Sequence, residues 1–156
     1  PGRAVPLRMT ATEPGATFRL PVRVYYEDTD AAGVVYYANY LKYFERARTH
    51  YLEDRGLSVA GLMAKGTVFV VVHAEVHYRS PARYGETLVI ETVVPDMTAA
   101  SITFAHVAKD KISGRGVAEG SARLAATDGN GKVKRLDKVT VAAIQSEGHS
   151  AERRHA

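Results

Sequence analysis

The 156-residue sequence contains no cysteine. This absence excludes disulfide bonds, thiol nucleophiles and thiolate metal sites. No stretch approaches the ~18 consecutive apolar residues that a membrane-spanning helix needs, and the first residues lack the apolar segment of a signal peptide. The length is typical of one domain. We therefore expect a single soluble domain with a cytoplasmic location.

The charge balance is mildly basic, with a formal net charge of +4 and a pI near 9.4. Such an excess suits an anionic partner, which could be a nucleic acid, an acidic lipid surface or a phosphate-bearing small molecule. A protein with a few spare lysines and arginines on its surface explains the charge equally well. Charge alone therefore does not choose among these classes.

Hydrophobic periodicity divides the chain into an arm, a strand and a helix. Residues 1–17 carry three prolines and two glycines without any periodicity, which predicts a flexible N-terminal arm. Apolar residues then alternate from Phe18 to Tyr26, which predicts a half-buried strand, and Pro21 places that strand at a sheet edge. An amphipathic helix of about 16 residues follows, and Gly56 ends it.

The second half of the chain has the pattern of four successive strands. Each of the four segments is apolar or alternating and is bounded by Pro, Gly or charged turns. Successive strands are expected to be antiparallel neighbours. The order of one strand, one helix and four strands predicts an α+β fold, with a long central helix packed across a curved five-stranded antiparallel sheet. The segments are 67–80, 86–96, 100–110 and 114–128.

Three acids, Glu27, Asp28 and Asp30, precede Ala-Ala-Gly where the strand gives way to the helix. The first N–H groups of a helix have no partner within the helix and stabilise negative charge. A carboxylate beside such donors has the parts of a site for acyl transfer or hydrolysis. In the alternative interpretation, Asp28 and Asp30 cap the helix or form Asx-turns. We expect Glu27 to be solvated and Asp28 to shape the turn.

One long segment is similar to a known family. Residues 22–48, VRVYYEDTDAAGVVYYANYLKYFERAR, resemble the signature of the hotdog-fold acyl-CoA thioesterases, in particular the Tol-Pal-associated subgroup of the 4-hydroxybenzoyl-CoA thioesterase family. The likeness continues through FVVVHAEVHYRSPARYGE and covers most of residues 18–136. It implies a hotdog thioesterase domain over residues 18–138. The pattern of the remaining residues, 139–156, predicts a short C-terminal helix and a polar tail.

The resemblance also implies roles for individual residues. Asp30 matches the catalytic carboxylate, which would either attack the thioester carbon or activate water. A backbone N–H at or near Tyr37 matches the oxyanion donor, and Gly33, Val34 and Val35 would bind substrate. Gly33 would let the backbone enter the helix without a Cβ clash. Members of the Tol-Pal-associated subgroup often have His in place of Tyr37, which leaves the preference for chain length or aromatic acyl groups open.

Coenzyme A would explain the basic balance, because its phosphates need cationic or N–H partners. The best candidates in the sequence are Arg79 and Arg83, followed by Lys109 and Lys111. Coenzyme A would enter as part of the acyl-CoA substrate, and we expect no separate cofactor. The choice between coenzyme A and acyl carrier protein as the carrier stays open.

Other polar residues give weaker indications. We expect Glu45, on the central helix, to form an ion pair with Arg46 or Arg48. His73 and His77 share one face of a predicted strand, a spacing that could bind a metal. No third ligand follows from the spacing, so we predict no metal site.

The resemblance implies a homodimer or homotetramer whose sheets join and whose active sites lie at subunit interfaces. A hydratase is disfavoured because the chain lacks the helix motif of the hotdog dehydratases. A non-enzymatic or weakly active binding module, associated with the Tol-Pal envelope or phospholipid-synthesis machinery, is the main alternative. Nucleic-acid binding is not expected, because the aromatic residues of YYANYLKYFERARTHY fall largely on the apolar helix stripe.

Overall fold

The computed structural model describes residues 17–149. The predicted flexible arm therefore lies outside the described residues except for Thr17, as does the end of the predicted polar tail. A single 3₁₀ turn, Tyr26–Asp28, lies between the first strand and the first helix. The other elements are β1 (Phe18–Arg23), α1 (Asn39–Asp54), α2 (Val59–Ala64), β2 (Val68–Tyr78), β3 (Thr87–Met97), β4 (Ser101–Asp110), β5 (Gly116–Thr127) and α3 (Lys138–Gln145).

The five strands form one sheet in the order β1-β3-β4-β5-β2, and all four pairings are antiparallel. The predicted α+β architecture is confirmed, and Pro21 lies in an edge strand as predicted, where its missing N–H does not interrupt the sheet. The strands β3, β4 and β5 are successive neighbours. The expectation is wrong for β2, which pairs with β5 at the far edge instead of with β3.

The helix α1 packs one face against the sheet. Its buried stripe includes Tyr40, Phe44, Ala47 and Tyr51, the same residues that the 3.6-residue period predicts. The small residues of β5 allow close contact. A Cβ atom at Gly120 would lie 2.9 Å from Cε2 of Phe44 and 2.5 Å from a backbone carbonyl of β2, so this position accepts only glycine without movement of its neighbours.

The C-terminal helix α3 closes the far end of the core, where Ile144 is fully buried. The Tyr51 hydroxyl donates a hydrogen bond of 2.9 Å to the Ile144 carbonyl. The guanidinium of Arg55 lies 3.4 Å from the ring centroid of Tyr51, and its Nε donates to the Ser146 carbonyl at 2.9 Å. These contacts join α3 to the end of α1.

Two local features differ from the sequence prediction. The first strand ends at Arg23 instead of continuing to Tyr26, whose side chain is 81% exposed in the 3₁₀ turn. The six-residue helix α2 was not predicted, although Ser58 provides an N-cap for it. Among residues 17–149, no helix has the length and apolar character needed to span a membrane.

Candidate active site

The acid-rich segment folds into a tight turn. The Asp30 N–H donates to the Val34 carbonyl at 2.9 Å, and the Gly33 N–H donates to the Asp30 carbonyl at 2.9 Å. Gly33 has a φ of +77°, a conformation that other residues adopt only with strain. No atom lies within 4 Å of the position a Cβ would take there. The glycine is therefore needed for its φ angle and not, as expected, to avoid a Cβ clash.

The turn is anchored to the Pro-Ala-Arg segment that the sequence analysis singled out. The Val35 N–H donates to the Ala82 carbonyl at 2.8 Å, and Val34 forms an isolated β-bridge with Arg83. The Val35 side chain is 4% exposed and lies in the core. It therefore stabilises the turn, whereas the sequence analysis expected it to contact substrate. Val34 is half-buried.

The Asp30 side chain is exposed at the tip of this turn. Its Oδ1 accepts a hydrogen bond of 2.9 Å from the Ala32 N–H, which is the Asx-turn of the alternative interpretation. Its other oxygen, Oδ2, accepts no hydrogen bond from the described residues. The carboxylate thus holds the turn with one oxygen, and its second oxygen has no hydrogen-bond donor among the described residues.

The hydrogen bonds of Asp28 give it a structural role. Its buried carboxylate accepts a 2.9 Å hydrogen bond from the Tyr25 N–H. Its carbonyl accepts from the Tyr36 N–H and from Nδ2 of Asn39, both at 2.9 Å. These bonds fix the distance between the acid turn and the first residue of α1. Glu27 is exposed, as expected for a solvated acid.

The N-terminus of α1 is left without a side-chain cap. Asn39 is its first helical residue, and the preceding N-cap residue, Ala38, has no side-chain oxygen that could accept an N–H. In contrast, Ser58 caps α2 and Asp137 caps α3 through their side chains. Within residues 17–149, no acceptor binds the Tyr37 N–H. The turn that precedes α1 therefore presents an N–H donor without a partner among the described residues, and the adjacent Tyr36 N–H is bonded to the acid segment through the Asp28 carbonyl.

A cluster of tyrosines forms the wall beside this donor. The Tyr78 hydroxyl donates to the Tyr37 carbonyl at 2.9 Å, and the rings of Tyr36 and Tyr37 are 4.7 Å apart. The neighbouring Tyr37 hydroxyl raises the pKa of Tyr36, and the negative charge of Asp30 adds to this shift. The tyrosine wall is joined to the acid segment through the 2.9 Å hydrogen bond from the Tyr36 N–H to the Asp28 carbonyl. Sequence analysis missed Tyr78, because no local spacing relates it to the acid turn.

The predicted phosphate-binding residues differ in availability. Arg79 forms an ion pair with Glu119 on the neighbouring strand, and Lys109 lies 2.6 Å from Glu91. In the described part of the chain, neither Arg83 nor Lys111 has a carboxylate within salt-bridge distance. Arg83 also adjoins the acid turn through the bridge to Val34. It is therefore better placed than Arg79 to bind an anionic group.

The structure also bears on the predictions for Glu45 and for the histidines of β2. Oε1 of Glu45 accepts a 2.9 Å hydrogen bond from the Thr49 hydroxyl, and no Arg46 or Arg48 nitrogen comes within 4 Å, so the predicted ion pair is absent among residues 17–149. Nε2 of His77 lies 3.5 Å from Glu75. The described residues contain no group of three side chains that could hold a metal ion.

Comparison with known proteins assigns the chain to a family. The model of the thioesterase-like superfamily matches residues 24–144. The chain belongs to this superfamily. The matched range includes the acid turn, the whole of α1 and all strands from β2 to β5, so superfamily membership covers the candidate site.

Individual relatives match different shares of this chain. The acyl-CoA thioester hydrolase YbgC of Escherichia coli is 49% identical over 87 residues, which cover 56% of this chain and 65% of that protein. A probable thioesterase from Bartonella henselae is 31% identical, with a TM-score of 0.73 over 78% of this chain and 100% of that chain.

A 1,4-dihydroxy-2-naphthoyl-CoA thioesterase from Synechocystis is 24% identical, with a TM-score of 0.77 over 82% of this chain and 95% of that chain. At this identity the likeness concerns the fold alone. The fold is the hotdog fold, as predicted.

Proposed function

We propose that this protein hydrolyses acyl-CoA thioesters to a free carboxylic acid and coenzyme A. The observation that carries this proposal is the pairing of an exposed carboxylate, Asp30, with the uncapped N-terminus of α1. The names of the relatives in the superfamily support the same reaction. Because the E. coli match covers 65% of that protein, the activity is transferred here as a proposal.

The reaction needs one group that attacks and one that stabilises negative charge. Asp30 either adds to the thioester carbon, giving a mixed anhydride that water then hydrolyses, or takes a proton from the attacking water. In both routes the carbonyl oxygen becomes negatively charged, and the Tyr37 N–H stabilises it. One such donor contributes about 3 kcal/mol in the transition state. The thiolate of coenzyme A leaves and takes up a proton.

The experiment that tests the proposal is thiol release from short, long and aromatic acyl-CoA thioesters. Asp30→Asn keeps the Oδ1 acceptor of the Asx-turn but removes the charge, so we expect it to fold and to lose about 10²–10⁴-fold in turnover. Glu27→Gln is the matched control, because it removes a neighbouring exposed carboxylate that has no proposed role. Undiminished turnover in Asp30→Asn, or no turnover of any thioester by the parent, would overturn the proposal.

We also propose that the active protein is a homodimer or homotetramer with sites at the subunit interfaces. The two edge strands of the sheet differ: β1 carries Pro21, whereas the centre of β2 exposes Val70, Val71 and Val72 in succession. An apolar edge of this kind is a template for pairing with another strand. Light scattering at micromolar concentration should give at least twice the mass of 17.0 kDa, and a monomer would contradict this proposal.

The remaining partners stay predictions. Arg83 is the cation that we favour for a coenzyme A phosphate. A link to the Tol-Pal envelope or phospholipid-synthesis machinery, acyl carrier protein as the acyl carrier, and a cytoplasmic location rest on the sequence resemblance and composition. A pull-down whose partners persist with Asp30→Asn, from a protein without turnover, would instead favour the binding module.

A further inference from the structure

A cavity of about 250 Å³ lies against the C-terminal half of α1. For comparison, an apolar cavity of about 150 Å³ holds one benzene molecule, so this one has room for roughly ten non-hydrogen atoms. Its walls come from α1, α2, β2, β4 and β5 and are mainly aliphatic. Its apolar lining includes Leu52, Leu62, Phe69, Ile102, Phe104 and Leu124.

The wall of this cavity also contains the guanidinium of Arg48, which is half-buried. Burial lowers the pKa of Arg48, and the nearby charge of Glu45 partly offsets this shift. Arg48 in turn contributes to the lowered pKa of His106, which is 1% exposed. Arg48 is therefore a half-buried cation that lines the cavity beside mainly aliphatic side chains.

Arg48 has no hydrogen-bond acceptor among the described residues, although a guanidinium carries five N–H donors. Burying such donors destabilises the folded protein unless an acceptor replaces the water that burial removes. The cavity wall also contains the polar side chains of Glu45, Thr49 and Thr67, but none of the three accepts a hydrogen bond from Arg48. An oxygen atom on an occupant of the cavity would supply an acceptor.

A stripe of α1 connects the cavity to the proposed reaction site. Leu41, Glu45 and Arg48 follow one another at helical spacing on α1. Tyr37 lies four residues before Leu41, in the turn that precedes α1, and both residues are exposed. Arg48 is nine residues beyond Asn39, the first residue of α1, or about 14 Å along the helix axis. An extended chain advances about 1.2 Å per bond, so an acyl chain of about twelve bonds would reach from one to the other.

We propose, on the basis of the proposed thioesterase function, that this cavity receives the far end of a long aliphatic acyl chain. Arg48 is then a specificity-determining residue that donates hydrogen bonds to a hydroxyl or oxo oxygen near the end of that chain. A neutral oxygen fits better than a second carboxylate, because the Glu45 charge already lies close to Arg48. The substrate class is thus a long-chain acyl thioester with an oxygen at its distal end.

The test compares dodecanoyl-CoA with 12-hydroxydodecanoyl-CoA, which differ by one distal hydroxyl. We expect the parent protein to favour the hydroxylated ester about tenfold in kcat/KM. Arg48→Met should reduce this ratio to about one. Arg46→Met is the matched control, because Arg46 is exposed, lies over the Tyr43 ring and is not part of the cavity wall. It should keep the parent ratio.

A binding measurement separates this proposal from the proposed activity. Calorimetry with free 12-hydroxydodecanoic acid and dodecanoic acid should show about tenfold tighter binding of the hydroxy acid to the parent, and equal binding to Arg48→Met. Arg48→Lys, which retains the charge and some donors, should give an intermediate ratio and serves if Arg48→Met does not fold. Preference for the plain chain, or an unchanged ratio in the Arg48 variants, would overturn the role of Arg48 even if thioester hydrolysis is confirmed.

Discussion

The buried imidazole of His106 makes the stability of the fold dependent on pH. His106 is 1% exposed and lies parallel to the ring of Phe44, 4.7 Å away. Its Nδ1 is 2.8 Å from the hydroxyl of Thr92, and its buried Nε2 has no partner among the described residues. Burial, followed by the charge of Arg48, lowers the pKa of His106 well below its ordinary value.

The sign of the effect follows from proton uptake by the two states. Below pH 6.5 the unfolded chain binds a proton at this histidine, whereas the folded protein keeps it neutral until the pH reaches the lower folded pKa. The free energy of unfolding is therefore highest above pH 6.5 and falls as the pH decreases. The loss from this group alone approaches about 1.4 kcal/mol per pH unit.

Urea unfolding of the parent and of His106→Gln between pH 5 and pH 8 would measure this loss. The difference in the free energy of unfolding between the two proteins should shrink by about 1 kcal/mol between pH 6 and pH 5. His50→Gln, which removes an exposed histidine from α1, is the control and should follow the parent curve closely. Parallel curves for the parent and His106→Gln would refute the reasoning.

Two glycine substitutions should separate packing from backbone strain. Gly120→Ala places a Cβ 2.9 Å from a ring carbon of Phe44, and we expect a loss of about 1–3 kcal/mol in thermal unfolding; an unchanged melting temperature would contradict the close packing of α1. Gly33→Ala meets no atom within 4 Å but strains a φ of +77°, so it should cost about 1–2 kcal/mol and also lower thiol release. Gly131→Ala is the control, because Gly131 has a φ of +82° in equally open space. It should lower stability by a similar amount without loss of turnover. Equal turnover in the Gly33 and Gly131 variants would argue against a role for the Asp30 turn.

Features that depend on local sequence could be predicted well. The stripe of α1 follows from the 3.6-residue period, and Gly56 ends the helix because its φ of +78° is open to glycine. The alternation of apolar residues predicted every strand. It could not predict that β2 crosses to the far edge beside β5, because alternation determines which face of a strand is buried and not which strand lies beside it.

The candidate site also combines residues that a local motif predicts with residues that only the folded chain brings together. Asp30, Gly33 and Tyr37 lie within eight consecutive positions, so a short motif brings them together in any fold that keeps the turn. Tyr78 and the cavity around Arg48 are assembled by contacts between distant segments. In the sequence, Arg48 looks like one more charge flanking an amphipathic helix, and only the burial of its guanidinium distinguishes it.

The helix α1 carries core residues on one stripe, and the residues of the proposed substrate path lie on a neighbouring stripe. Phe44 and Tyr51 face the sheet and α3, so substitutions there act on the whole fold. Leu41 and Arg48 share a neighbouring stripe, which ends at the cavity, and Tyr37 lies in the turn just before the helix. Phe44 and Arg48 are four residues apart, so their side chains lie about 40° apart around the helix axis. The two stripes therefore adjoin, and Leu52, which lines the cavity, also belongs to the buried core. We therefore expect Leu41, which is exposed on the second stripe, to tolerate substitution with less loss of stability than Phe44 or Tyr51.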